Sequence, residues 1–299
     1  MKRALVTGIT SYPGLSLAKR LLELNVEVHA VIREQTNLGR LEQLTGPIDI
    51  NRHDGSVENL ISTVGRVSPD VIFHLAGHYM ASHGEGDIEG LLDSNICFGA
   101  RLLEAARCGG VRQFVSTGSY VQFFDRNEYR PLNLYAATKQ AFQDVLAFYS
   151  DSGSFEATTL VLFDTYGEGD WRPRLMNAIR KAVRDGSPLN LPSEDVAIEV
   201  VHIDDVVAAY LRAAELLADN PGKVNGRIFA IRSDDVQTIS GIVAAFEAVS
   251  GTRVKKAWGQ HPLPERRMTD LWNGPTLPGW QCKVALEEGV RRFMEEEAG

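Results

Sequence analysis

The sequence predicts an α/β protein: a doubly wound parallel sheet followed by a smaller C-terminal lobe. Three observations carry that reading. Short apolar runs alternate with amphipathic stretches through the first half of the chain. A glycine-bearing turn follows the first of those runs. After Leu162 the rhythm breaks into shorter elements separated by Gly, Pro and charge. At 299 residues, 44% hydrophobic and 23% charged, the chain suits one large α/β unit or a main domain with an appendage.

Taken in order, the apolar runs at 3–7, 27–32, 48–51, 71–75, 113–116 and 158–162 read as strands. Helical patterns fill 15–24, 57–66, 90–107 and 134–149. Such alternation implies a parallel sheet covered by helices on both faces, with right-handed crossovers gathering the functional loops at the carboxyl ends of the strands. The main domain is expected over 1–165. Residues 166–299 form mainly the smaller lobe, some segments returning to the main sheet. Irregular stretches at 166–173, 185–195 and 257–278 fit that lobe.

Composition excludes several classes. A net charge of -8 without a basic run repels nucleic acid. No segment approaches the length of a membrane span, and the apolar run at the N-terminus is too short for a signal peptide. Cys97, Cys108 and Cys282 are odd in number, scattered and without metal-ligand spacing, so reduced thiols, a cytoplasmic location and no bound metal are expected.

The first strand runs into Thr7-Gly-Ile-Thr-Ser-Tyr-Pro-Gly14, and a helix follows. Such a turn lets the backbone approach a pyrophosphate at a helix N-terminus, which favours its charge. Gly8, Thr10, Ser11, Tyr12, Pro13 and Gly14 are thus cofactor-binding candidates; an ordinary tight turn is the alternative. Ser11 stands where the usual pattern has its middle glycine. The second strand ends in Arg33, where an acidic residue would select NAD and an arginine can pair with a 2′-phosphate. Arg33 therefore favours NADP over NAD; the alternative, which Glu34 beside it keeps open, is a solvated surface arginine. Asp54, after the third strand, is placed to accept from an adenine amino group or to cap the next helix.

Tyr135 and Lys139 lie four residues apart on a helix and share a face. An ammonium beside a phenol favours the phenolate, so the pair suits proton exchange coupled to hydride movement.

With these pieces in place the chain resembles the extended short-chain dehydrogenase/reductases, the nucleotide-sugar epimerases, dehydratases and reductases. The resemblance spans nearly the whole chain. It rests on the Gly8–Gly14 loop, Val71-Ile-Phe-His-Leu-Ala-Gly77, Asn95, Phe114-Val-Ser-Thr-Gly118, Tyr135-x-x-x-Lys139, Tyr166-Gly167 and Val201-His-Ile-Asp-Asp205. Leu277-Pro-Gly-Trp280 and Ala285-Leu-Glu-Glu-Gly289 continue it in the tail.

The resemblance implies a Rossmann-type domain with a substrate-binding lobe. Tyr135 becomes the acid/base, Lys139 the ligand of the nicotinamide ribose, and Thr117 the donor to the substrate oxygen, with Ser119 as the fallback. Leu75, Ala76 and Gly77 line the cofactor, while His74 and Asn95 serve structure. His78 and Tyr79 contact substrate or pack their loop. The family's 4,6-dehydratases need an Asp-Glu pair after the threonine; Gly118 and Ser119 exclude that reaction. Reduction of a 4-keto-6-deoxy sugar with NADPH is favoured, with epimerisation through a keto intermediate as the alternative.

The stretch from Leu162 to Arg174 is similar to synthases of CDP-linked dideoxyhexoses. Ile198 and Glu199 stand where relatives often carry a diphosphate-binding arginine. Arg172, Arg174, Arg266 and Arg267 are candidates to replace it. The missing arginine also leaves a small non-nucleotide carbonyl substrate open, and a redox-sensing NADP-binding protein is the non-enzymatic alternative. A homodimer through the helices at 90–107 and 134–149 is implied by the resemblance.

Overall fold

A computed structural model describes residues 1–125, 128–192, 195–261, 266, 268 and 270–295. The first half contains β1 (Arg3–Thr7), α1 (Tyr12–Glu23), β2 (Glu27–Arg33), β3 (Ile48–His53), α2 (Val57–Val67) and β4 (Val71–His74). Then come α3 (Ile88–Leu92), α4 (Phe98–Cys108), β5 (Gln113–Ser119), α5 (Leu134–Asp151) and β6 (Glu156–Leu162). Every apolar run read as a strand is one. The stretch read as a single helix over 90–107 is divided, because a π-turn at Asp93–Cys97 joins α3 to α4.

The main sheet has seven strands in the order β11-β6-β5-β4-β1-β2-β3, all parallel, where β11 is Arg227–Ile231. Its central strands are largely buried and rich in apolar residues because helices cover both faces. On one face α1 and α7 (Ile203–Asp219) seal a core that includes Val6, Leu17, Phe73, Leu160 and Tyr210. On the other, α2, α4 and α5 close over Leu5, Leu60, Leu102, Phe114 and Phe142. Thus β11 and α7, both from the second half of the chain, belong to the main layers.

The remaining elements build the lobe. They are β7 (Asp164–Tyr166), α6 (Leu175–Asp185), β8 (Leu189–Pro192), β9 (Ala197–Ile198), β10 (Val200–His202), β12 (Gln237–Thr238), α8 (Ile239–Ser250), β13 (Lys256–His261) and α9 (Leu286–Glu295). They enclose a separate core around Tyr166, Ile179, Leu191, Phe246 and Phe293.

Asp205, buried at the start of α7, fastens the tail. Its carboxylate accepts the backbone N–H of Lys283 and Val284, and its carbonyl accepts the indole N–H of Trp280. Edge strand β11 is met by the same tail: the Ala230 N–H donates to the Pro275 carbonyl at 2.8 Å, and Ala230 bridges Thr276. Among the described residues no helix is long and apolar enough to cross a membrane, and no His, Cys, Asp or Glu cluster could hold a metal.

Candidate active site

Strand order reverses between β1 and β4, so the loops that leave their carboxyl ends diverge and open a crevice. Gly8 there has φ 69°, and a Cβ on it would lie 2.6 Å from the Ala76 nitrogen. A Cβ on Gly14 would lie 2.2 Å from the Gly8 carbonyl oxygen. No side chain fits at either position, so the turn lies flat against the loop after β4. A groove of about 460 Å³ results, lined by Gly8, Thr10, Ser11 and Arg33 and by Leu75, Ala76 and Gly77 of the loop after β4. A bare backbone cradle at the N-terminus of α1, with a guanidinium at its far end, fits a dinucleotide. Gly8–Ser11 would take the diphosphate and Arg33 the adenosine ribose. The Arg33 guanidinium makes no hydrogen bond or ion pair among the described residues.

Four cofactor candidates, Tyr12, Pro13, Asp54 and Ser11, have other positions or contacts in the structure. Tyr12 is buried beneath the loop, with its hydroxyl donating to the Glu168 carbonyl, and neither it nor Pro13 lines the groove. Asp54 is exposed and accepts from the Ser56 N–H and hydroxyl at 2.8 and 2.7 Å. That local turn satisfies its carboxylate at the entry to α2 and holds its pKa below the ordinary value, so His53 lines the groove instead. Ser11 caps α1, its hydroxyl accepting the Gly14 N–H.

Helix α5 starts at Asn133, whose side chain accepts the Ala136 N–H and donates to the carbonyls of Met80 and Ala81. One cap thus fixes both the helix and the loop after β4. Tyr135 and Lys139 project from the first turns of α5. The Lys139 Nζ sits 3.3 Å from where a Gly77 Cβ would stand, so a side chain there would press on the ammonium. Burial pulls the Lys139 pKa down to about 8 and pushes the Tyr135 phenol up to about 12. Burial dominates both groups, and the expected phenolate-favouring effect of Lys139 does not contribute, so Tyr135 is a neutral phenol.

The Ser119 side chain is near enough to the phenol of Tyr135 to offset part of that rise. Thr117, the expected donor, is engaged elsewhere: its hydroxyl donates to the His74 carbonyl at 2.8 Å and sits 2.6 Å from the Tyr210 hydroxyl. Ser119 and Thr117 share a face of β5, but only Ser119 reaches Tyr135. A Cβ at Gly118 would meet Gln122 Oε1 and Val161 at 3.0 Å, so no carboxylate fits there.

His74 and Asn95 hold the frame. His74 is fully buried beside the Thr7 hydroxyl, and burial lowers its pKa to about 3. Asn95, in the π-turn, accepts the His78 N–H and donates to the His78 carbonyl and to Thr138 of α5.

Beyond Tyr135 lies a second pocket of about 500 Å³, lined by Tyr79, Asp164, Arg174, Met176, Ile198 and Val200 among others. The Tyr79 ring packs edge-on against Tyr135 at 5.1 Å, with the Arg174 guanidinium 4.8 Å from its centre. Arg174 pairs with Asp164 at 3.1 Å, and Asp164 also accepts the Tyr120 hydroxyl.

Of the other substrate candidates, Arg172 also lines this pocket, whereas His78 and Arg266 do not. Arg172 is clamped on nearly buried Asp170 through Nε and Nη2 and also donates to Thr165, so it braces its loop. His78 lines the cofactor groove. Arg266 is exposed, donating to the Pro131 carbonyl, and Arg267 lies outside the described residues. Ile198 turns an apolar face to the pocket. Glu199 is buried away from it, accepting from Arg232, Ser233 and the Asp234 N–H.

Comparison with known proteins agrees with this geometry. The model of the NAD dependent epimerase/dehydratase family matches residues 4–228. The chain belongs to that family. It is an enzyme of the extended short-chain dehydrogenase/reductase type, as the motifs implied. Among curated relatives, CDP-abequose synthase of Yersinia pseudotuberculosis is 24% identical, covering 87% of this chain and 88% of that one. UDP-glucose 4-epimerase of Mycolicibacterium smegmatis is 25% identical over 98% of this chain and 97% of its own. The UDP-glucose 4-epimerase of Thermus thermophilus, in complex with NAD, shares the fold at TM-score 0.81 and 21% identity, covering 98% of each chain. UDP-glucuronic acid 4-epimerase from Bacillus cereus, in complex with UDP-glucuronic acid and NAD, gives 0.84 and 19%, again over 98% of each.

Within this family site, sequence reading missed Asp164, Tyr120 and His53. Asp164 lay in a stretch compared for its family likeness, yet its single carboxylate carried no motif. Tyr120 was hidden in a run of aromatics. His53 was overlooked because Asp54, beside it, had a ready role.

Proposed function

We propose that the chain reduces a keto group on a nucleotide-activated 4-keto-6-deoxy sugar, using NADPH. Arg33 is the observation that carries the reading: a guanidinium at the adenosine end of the groove, unpaired among the described residues, favours a phosphorylated ribose, the mark of an exchangeable reductant. The likeness to CDP-abequose synthase, over 87% of this chain, is consistent with a CDP-linked sugar substrate.

The reduced nicotinamide supplies a hydride to the carbonyl carbon when bound. Tyr135, neutral because burial raises its pKa, gives its proton to the carbonyl oxygen as that oxygen takes up charge. The product is the alcohol, and the phenolate left behind recovers a proton from solvent. Ser119 holds the phenolic oxygen in line. Lys139, a cation beneath the groove, binds the nicotinamide ribose and offsets the phenolate as it forms. Tyr79 and Arg174 meet the sugar nucleotide, Arg174 exchanging Asp164 for a phosphate oxygen.

An epimerase is the second reading, favoured by the epimerase relatives that span nearly the whole chain. Incubation with NADPH and a CDP-linked 4-keto-6-deoxy sugar separates the two. Loss of nicotinamide absorbance supports reduction; sugar interconversion without net oxidation establishes the epimerase. Tyr135→Phe is expected to lower turnover about a hundredfold or more while cofactor binding persists; unchanged turnover would sink the mechanism.

We also propose a homodimer through α4 and α5, where Phe148 is 67% exposed, testable by light scattering. The free thiols Cys97, Cys108 and Cys282 suit a cytoplasmic setting.

A further inference from the structure

At the adenosine end of the groove His53 stands beside Arg33. The two are register partners at the carboxyl ends of β3 and β2, and both line the groove. In parallel strands paired residues project to the same side, so imidazole and guanidinium stand next to each other. The imidazole is held by the Phe98 ring, stacked at 4.8 Å and 26°. Its Nδ1 is buried without a hydrogen-bond partner, and neither ring nitrogen is bonded among the described residues. Buried polar atoms are normally satisfied, so an orphaned one on a groove wall points to a group that arrives with the ligand.

The charges around the ring are Arg33 on β2, Asp54 on its own loop, Asp93 in the π-turn and Arg101 on α4. Asp93 is paired with Arg101 at 3.3 Å, and Arg33 forms no ion pair among the described residues. A carboxylate or hydroxyl of the chain to satisfy both Arg33 and His53 is missing among the described residues. A phosphate oxygen would accept from both at once.

We propose that His53 is a specificity-determining residue for the cofactor, holding the adenosine 2′-phosphate together with Arg33. The proposal rests on the NADPH reading above and adds to it the residue that completes the anchor. The imidazole donates an N–H to one phosphate oxygen while Arg33 donates to the others. Phe98 fixes the ring so that little rotamer freedom is lost on binding. Burial lowers the His53 pKa, so in the free protein the ring is neutral, one nitrogen a donor and the other an acceptor. The donor role requires only that neutral form.

Titration calorimetry with NADPH, NADH and 2′,5′-ADP tests it without turnover. His53→Phe keeps the stack on Phe98 and removes both nitrogens. It is expected to weaken NADPH and 2′,5′-ADP about tenfold or more, the worth of one charge-assisted hydrogen bond, and to leave NADH unchanged. Retained NADH binding and an unchanged melting temperature establish that the variant is folded; His53→Gln serves if Phe is not tolerated. Equal weakening of NADPH and NADH, or of neither, overturns the proposal.

Arg33→Ala separates the two claims. If the unmodified protein prefers NADPH and Arg33→Ala abolishes that preference while His53→Phe retains it, His53 alone is wrong. If the unmodified protein prefers NADH, the NADPH reading falls and this proposal falls with it.

Discussion

Lys139 is held in the site against its own desolvation. It is 5% exposed, has no carboxylate partner among the described residues, and burial draws its pKa down to about 8. An unpaired buried cation destabilises the chain that carries it. Lys139→Met should therefore raise stability by about 1–3 kcal/mol at neutral pH while removing turnover; a lower melting temperature would contradict this. The sign with pH follows. The unfolded lysine keeps its proton to 10.5 and the folded one loses it near 8, so between those values the folded chain gains stability as pH rises. Activity runs the other way. The ammonium offsets the phenolate, so kcat/KM should fall above about pH 8, and a profile flat to pH 10 would remove Lys139 from that role. The residue types and spacing of this pair were legible in the sequence. Which hydroxyl meets Tyr135 was not, because Thr117 and Ser119 differ only in where the strand delivers them.

At the scale of elements, two glycines and one π-turn align the loops. Gly14→Ala would drive a methyl group into the Gly8 carbonyl, 2.2 Å away, so the loop must open. Cofactor affinity should drop by at least about tenfold, with stability falling by a few kcal/mol; near-native binding would show that the cradle yields. Asn95→Ala leaves the His78 backbone and Thr138 without their shared partner and should cost about 1–3 kcal/mol, checked by urea unfolding. The helical period of 90–107 was readable, but the π-turn was not. Its extra residue serves a contact with α5, far off in sequence, and leaves no local signature. The strands were legible because burial on both faces makes each a short apolar run.

Across the whole molecule one side chain, among others, joins the cofactor and substrate sides. Trp171, in the loop between β7 and α6, lies under the Arg40 guanidinium at 4.4 Å and packs edge-on against Tyr12 at 5.8 Å. Arg40 lines the cofactor groove, and the residues after Trp171 line the substrate pocket. Trp171→Ala should therefore raise KM for both ligands severalfold, and a change confined to one would show the two sides to be independent. Such a bridge was beyond sequence reading, since its members sit in three separate loops.

The uncovered moment of the main sheet comes during synthesis. Strand β11 leaves the ribosome tens of residues before the tail segment that occupies its outer rim and locks onto Asp205. Until that segment emerges, the β11 margin of the nascent sheet is open to pairing with a neighbour's strand. The tail is thus the closing step of assembly as well as a part of the lobe. Chains stalled short of it would be the ones that chaperones must hold apart.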